Sequence, residues 1–345
     1  MSRLPVALIC GLPGAGKTTL ADYVREDCES QHRVDCLLLN QERAFDHVRR
    51  LAERGLADYL LLELTGAGDP EVAAAQLSPQ SRAGAQLAEL VRLDAIVTVI
   101  DTTTVLADFA SWHRCIDRGY THDEHDQRSL AEVIAEQVEF ADVIVLNKTE
   151  LASARAKYAA SVLARSLNPD AVIIEAQQGR VPGRKLLFTY AFELTQARER
   201  ARWIRTLAGA PGCEADSHGI SSFRYSARRP FHPGRLMEFV RSAWPGVVRC
   251  RGFFWLATRM DLMGELSQAG AARRFRSVTR WDGSFGDRRQ ELAFVGIDMD
   301  EAYLRRRLDE CLLDEFEFSR GREVWQTFED PFPAWHPNPI AQSDS

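Results

Sequence analysis

The sequence predicts an α/β fold with a doubly wound, mostly parallel sheet, followed by a smaller α+β domain. Three observations carry this expectation. Short apolar runs alternate with helical stretches over roughly the first 180 residues, as in a parallel sheet joined by right-handed crossovers. The first apolar run leads into a glycine-rich loop and then a helix. Past residues 209–217 (GAPGCEADS), which have linker composition, strands become separated by longer helical segments. The expected division is a first domain at 1–208, a linker at 209–219, a second domain at 220–320 and a Pro/Trp-rich tail at 321–345.

Residues 5–10 (PVALIC) read as the first strand, and residues 19–24 can continue as a helix. Between them, Gly11-Leu12-Pro13-Gly14-Ala15-Gly16-Lys17-Thr18 fits the P-loop pattern G-x-x-x-x-G-K-[ST] in the strand–loop–helix setting that it needs. Glycines let backbone N–H groups turn inward around phosphate oxygens, and the helix N-terminus adds its positive dipole end. Lys17 is expected to reach the β- and γ-phosphates, and the Thr18 hydroxyl to ligate Mg²⁺. Gly11, Pro13, Gly14, Ala15, Gly16 and Thr19 complete the expected cradle. These residues predict nucleotide binding.

Residues 34–40 (VDCLLLN) read as a buried strand, and 41–55 as charged and partly helical. Residues 58–64 (DYLLLEL) form a third strand ending in Glu63-Leu64-Thr65-Gly66-Ala67-Gly68-Asp69-Pro70. There a P-loop protein places its γ-phosphate sensor: Glu63 for Mg²⁺ or its water, and the Gly66 N–H for the γ-phosphate. Residues 94–101 (DAIVTVID) are a fourth strand. The polar segment 102–127 carries His122 and His125, three apart with carboxylates between them. A zinc pair and an exposed acidic loop whose Asp126 caps the next helix are both readings of it. No further ligand set is fixed by spacing, which favours the loop.

Residues 129–140 form an amphipathic helix, and 141–146 (ADVIVL) a fifth strand ending in Asn147-Lys148-Thr149-Glu150. Asn-Lys-x-Asp after a strand is a guanine-reading loop: Asn meets N7, the Lys stem covers the ring, and the acid accepts from N1–H and the 2-amino group. Glu150 is one methylene longer but keeps the carboxylate that those two donors require. Residues 170–175 (DAVIIE) are the sixth strand, and Ala176-Gln177-Gln178 falls where a second base-contacting loop belongs. In the second domain, strands are expected at 220–226, 252–259 and 291–297 and helices at 233–244 and 299–313, with the helices on one face of an antiparallel sheet. Phe253-Phe254-Trp255-Leu256 reads as a core strand in preference to a partner surface. The tail from residue 325 is expected to be extended and partly packed.

A chain of 345 residues with 45% hydrophobic content supports two ordinary globular cores. Its net charge of −6 argues against nucleic acid or an anionic membrane as the main partner. No stretch has the apolar length of a membrane span, and the first apolar run reads as a core strand, not a signal peptide. Arg273, Arg274, Arg276 and Arg280 read as a solvated face. Seven scattered cysteines, none paired as C-x-x-C, suit free thiols and a cytoplasmic location.

Taken in order, these motifs resemble the CobW-type branch of the P-loop GTPases, relatives of the urease and hydrogenase nickel-insertion GTPases, and above all its zinc-associated members. The resemblance rests on GLPGAGKTT, ELTGAGDP, VTVIDTTTVL, QVEFADVIVLNKTEL and LNPDAVIIE in the first domain. In the second it rests on GISSFRYSARRPFHPGRL, RGFFWLATR, GDRRQELAFVG and DPFPAW. It implies a P-loop NTPase sheet followed by a CobW C-terminal-like domain. It also implies GTP hydrolysis with Mg²⁺, coupled to delivery of a transition metal, often Zn²⁺, to a client metalloprotein. It carries Lys17, Thr18, Glu63, Gly66, Asn147 and Lys148 to the nucleotide site, with Glu150 where the family usually has Asp.

Two departures stand out. The family's Cys-x-Cys-Cys loop is missing, since no cysteine falls between Cys36 and Cys115. The histidine-rich segment before the second domain is reduced to Cys213 and His218. A nucleotide-gated client-binding module without metal cargo, and a P-loop small-molecule kinase, are the competing readings. No residue plays a water-orienting role in the motifs, so slow intrinsic turnover is expected.

Overall fold

The structure, a computed structural model, describes residues 3–39, 42–78, 84–209, 216–281 and 288–335. The chain divides after Ala201 into two compact units. The first opens with β1 (Leu4–Cys10), α1 (Lys17–Cys28), β2 (Val34–Leu39), α2 (Glu42–Arg54) and β3 (Tyr59–Leu64). The short helices α3 (Pro70–Gln76) and α4 (Gly84–Leu87) lead to β4 (Val91–Asp101), α5 (Val105–Phe109) and α6 (Leu130–Glu139). The unit ends with β5 (Val143–Asn147), α7 (Ala154–Leu167), β6 (Val172–Glu175) and α8 (Leu194–Glu199).

Its six strands form one parallel sheet in the order β2-β3-β1-β4-β5-β6. Val6, Leu8 and Cys10 pack with Leu60 and Leu62 in one layer, while Ala7 and Ile9 pack with Leu61 and Val97 in the other. Burial on both faces explains why these runs are continuously apolar. Strand order reverses between β1 and β4, which opens a crevice at their carboxyl ends, beside the P-loop.

Two expectations for this unit change. Strand β2 is not buried: it is the sheet edge, where only Val34 is buried and Leu38 is 50% exposed. An apolar run reports strand character but not the strand's place in the sheet. Asp126 does not cap the following helix. Ser129 does, in a capping box with Glu132, while Asp126 pairs with Arg128.

The second unit comprises α9 (Arg202–Leu207), β7 (Ile220–Ala227), α10 (Pro233–Arg241), β8 (Val247–Phe254), β9 (Leu262–Ala269), β10 (Ala272–Arg280), β11 (Gln290–Ile297) and α11 (Glu301–Asp309). The short helices α12 (Glu315–Ser319) and α13 (Arg322–Trp325) follow. The sheet is antiparallel, in the order β10-β9-β8-β11-β7. It has five strands where three were expected. The β9–β10 hairpin turns at Gly270, and its polar, arginine-rich strands carry little apolar signal.

The arginine cluster is therefore an edge strand and not simply a solvated face. Arg273 lies 4.4 Å over the Trp244 ring, and Arg276 pairs with Glu265. The strand expected at 252–259 runs instead at Val247–Phe254: Phe254 is buried at its end, and the buried Trp255 and Leu256 lie beyond it. Helices α10 and α11 cover the aromatic face of the sheet. Helix α9 packs on β7, β8 and β11, with Trp203 beneath the Arg251 guanidinium, so helices occupy both faces. Residues 202–207 thus belong to the second unit, earlier than the expected boundary at 208. Residues 210–215 of the expected linker, Cys213 among them, lie outside the described residues. The tail is packed as far as Trp335: Arg259 holds Asp330 at 2.7 Å and stacks on the Trp335 ring.

Among the described residues, no helix is long and apolar enough to cross a membrane.

Candidate functional site

The loops after β1, β3, β4 and β5 meet at the carboxyl edge of the parallel sheet. The P-loop needs its glycines for space as well as for conformation. Gly11 has φ +140°, and a Cβ there would lie 2.3 Å from Val99 O. Gly16 has φ +99°, and its Cβ would lie 2.3 Å from Asn147 Nδ2. Lys17 is 6% exposed, and its Nζ donates to Gly11 O at 3.0 Å. Burial pulls its pKa down, against the upward pull of Glu63, whose Oε1 is 3.8 Å away. Thr18 Oγ1 donates to Glu63 Oε2 at 2.8 Å, so the first turn of α1 and the end of β3 already touch.

The turn after Glu63 presents a free donor. Ala67 N–H donates to Tyr120 O at 3.1 Å and Gly68 N–H to Thr65 O at 3.3 Å, while among the described residues the Gly66 N–H has no partner. Gly66 has φ +62°, with Tyr120 O 2.2 Å from where a Cβ would stand.

Asn147 joins three loops. Its Nδ2 donates to Ala15 O at 2.9 Å, and its Oδ1 accepts from Gly179 N at 2.8 Å. One amide hydrogen remains for an acceptor such as a purine N7. Lys148 adopts φ +61°, a conformation that costs a non-glycine residue energy and is held here by tertiary structure. Its Nζ donates to Asp101 Oδ2 at 2.6 Å, which stretches the aliphatic stem along the site. Burial pushes the Asp101 pKa up, but Lys148 and Thr103 outweigh it and leave the carboxyl below its ordinary value. Thr149 Oγ1 donates to Ala176 O at 3.0 Å, which brings residues 176–179 beside the Asn147–Glu150 loop, as the spacing predicts. Glu150 is exposed. A cavity of about 220 Å³ lies beside Pro13 and Gly14, bounded by Asp101, Val105, Tyr120 and Lys148.

A hydroxyl and a carboxylate side by side, Thr18 and Glu63, suit a hard divalent cation that prefers oxygen ligands, so the residues present fit Mg²⁺. A zinc cargo finds no such set. Among the described residues, no three of His, Cys, Asp and Glu gather in a metal-sized group. His122 and His125 are both exposed, and the His125 backbone N–H donates to Asp123 Oδ1. The described cysteines are free thiols, and burial pushes Cys36 up to about 11, away from a ligating thiolate. Sequence reasoning missed Asp101, Gly179, Arg128 and Gln137, which act here through bonds to residues distant in the chain.

Fold and site together define a P-loop nucleotide-binding protein with a second α+β unit. Residues 35–175 match the CobW/HypB/UreG nucleotide-binding domain, and residues 220–312 match the cobalamin synthesis protein cobW C-terminal domain. The chain belongs to the CobW-type family of P-loop GTPases. It is 28% identical over 398 residues to zinc-regulated GTPase metalloprotein activator 1 of Dictyostelium discoideum, covering 95% of this chain and 84% of that protein. It is 30% identical over 275 residues to a protein of Mycobacterium tuberculosis named as a zinc chaperone, covering 72% of this chain and 63% of the relative. The Zn(II)-bound YjiA GTPase of E. coli aligns at 16% identity with a TM-score of 0.42, over 91% of this chain and all of that one.

Proposed function

We propose that this chain is a Mg²⁺-dependent GTP switch of slow intrinsic turnover, serving zinc or other transition-metal homeostasis through a client metalloprotein in the cytoplasm. The observation that carries the nucleotide part is the meeting of Lys17 and Thr18 with Glu63, followed in the same turn by a Gly66 N–H that is unpaired among the described residues. Lys17 and the loop amides offset charge on the transferred phosphoryl group, the Gly66 N–H meets its terminal oxygens, and water attacks in line. A Mg²⁺ ion held by Thr18 and Glu63 supplies further charge neutralisation when bound. Asn147, Lys148 and Glu150 select guanine. Slow turnover is expected because none of the motif residues plays a water-orienting role. Partner-free GTP hydrolysis tests this, with ATP as competitor: a basal rate of several per second, or equal competition by ATP, contradicts it.

The zinc part is supported by the names that relatives carry and by the family's two-domain plan. The dispersal of the described cysteines favours a second reading, a GTP-gated client-binding module without metal cargo. Zinc titration against a chromophoric chelator, with and without GTP and Mg²⁺, separates them. Tight nucleotide-dependent binding selects metal delivery, and no binding in either state selects the module.

A further inference from the structure

The turn after β3 is held from outside by the segment between α5 and α6 and by α6 itself. Arg128 Nη2 donates to Ala67 O at 2.9 Å, and Gln137 Nε2 to Gly68 O at 3.0 Å. The Arg128 guanidinium is itself pinned. Its Nε and Nη2 bind Asp126 at 2.9 and 2.7 Å, and its Nη1 binds Glu136 at 2.8 Å. Its side chain is 19% exposed. Ala67 is buried with Cys115, Leu130 and Val133, and Leu12 of the P-loop packs on the same cluster. The Thr65 C=O and the N–H and C=O of both Ala67 and Gly68 are thus engaged, while among the described residues the Gly66 N–H is left over.

We propose that Arg128 is a positioning residue for γ-phosphate recognition: by holding the Ala67 carbonyl, it keeps the Gly66 N–H unpaired and ready for the terminal phosphate. This rests on the reading of the Glu63–Asp69 turn as the γ-phosphate sensor. A planar guanidinium whose Nε, Nη2 and Nη1 are tied to two carboxylates has its second Nη2–H fixed in direction, onto Ala67 O. The Ala67 peptide therefore cannot rotate without breaking a charge-assisted bond. Lysine, a point charge on a flexible stem, cannot serve Asp126, Glu136 and Ala67 O together. A nucleoside diphosphate has no phosphate at Gly66, so the contribution belongs to the triphosphate alone. If Arg128 only fastened the 111–128 segment to the turn, its loss would affect both nucleotides alike.

The test compares GDP and GTPγS affinity, with kcat and KM for GTP, in the full chain and in Arg128→Gln, Arg128→Lys and Gly66→Ala. Arg128→Gln should weaken GTPγS about tenfold, the loss expected for one hydrogen bond to a charged group, with GDP affinity within about twofold. Its KM for GTP should rise by a similar factor, since slow turnover makes KM track affinity, and Arg128→Lys should lie between it and the wild type. If Arg128→Gln does not fold, Arg128→Lys, which keeps the charge, still carries the comparison. An unchanged GTPγS-to-GDP ratio in the Arg128 variants, or equal losses of both nucleotides, overturns the proposal. Gly66→Ala distinguishes the two levels. If it shifts the ratio and the Arg128 variants do not, only the role of Arg128 falls; if it too leaves the ratio unchanged, the sensor reading falls first.

Discussion

Both units bury polar side chains, but they use them differently. In the first, Lys17, Asn147 and Thr149 are buried: Lys17 turns back onto Gly11 O of its own loop, while Asn147 and Thr149 reach Ala15 O and Ala176 O of other loops. In the second, the buried Arg249 bonds to Ser267 Oγ and Gln268 O on the next strand, Glu265 sits between Arg251 and Arg276, and Gln290 closes on both N and O of Trp255. The first arrangement ties loops together while leaving donors and a cation-binding oxygen pair for a ligand. The second uses these side chains to join neighbouring strands and the residues beside them. The difference teaches where each unit is sensitive: ligand chemistry in one, packing in the other.

The largest expected effect is on packing. Phe294 is fully buried and stacks on Phe223 at 4.9 Å, so Phe294→Ala should destabilise the second unit by about 3–5 kcal/mol. Denaturant titration measures this. GTP affinity of the folded fraction should stay within about twofold, and a parallel loss of affinity would break the contrast between the units. In the opposite sense, Lys17→Ala should lower GTP turnover at least about a hundredfold while the protein stays folded by circular dichroism. Asn147→Ala removes the bridge between the P-loop and Gly179 and should weaken GDP and GTPγS alike by about tenfold. Equal loss for both nucleotides sets this base-side residue apart from Arg128.

The smallest effect is acid sensitivity in the second unit. Arg235 beside Glu317 holds the Glu317 pKa down to about 2. A depressed carboxylate contributes stability that is complete above its ordinary pKa near 4.5 and is lost as the pH falls towards 2. Glu317→Gln should therefore flatten the acid limb of the second unit's thermal midpoint below pH 4.5 and leave nucleotide binding at neutral pH unchanged. Thermal scans across that range check it.

Much of the first unit was legible in the sequence because its signals are local. Gly11 to Thr18 are contiguous, and β1, β3 and β5 announce themselves as short apolar runs that lead into the motif residues. The second unit was less legible. Its β9–β10 hairpin buries its residues unevenly and spends arginines on rings and carboxylates, so it lacks the alternation that marks a half-buried strand. The position of β2 at the sheet edge was hidden for a different reason: Leu37, Leu38 and Leu39 look the same in sequence whether or not a neighbouring strand covers them.

By itself, then, the sequence determined the phosphate loop, the acid and glycine after β3, the Asn147–Glu150 loop and the alternation that winds the sheet. Each of these is written in neighbouring residues whose backbone geometry follows from local sterics. Only the tertiary structure decided that Lys148 is stretched by Asp101, 47 residues away, and that the Gly66 turn is braced by Arg128, which holds Ala67 from 61 residues away. It also decided that α9 joins the second sheet. Those contacts depend on which strands become neighbours, and strand order is set by packing a whole core, which no short stretch of chain encodes.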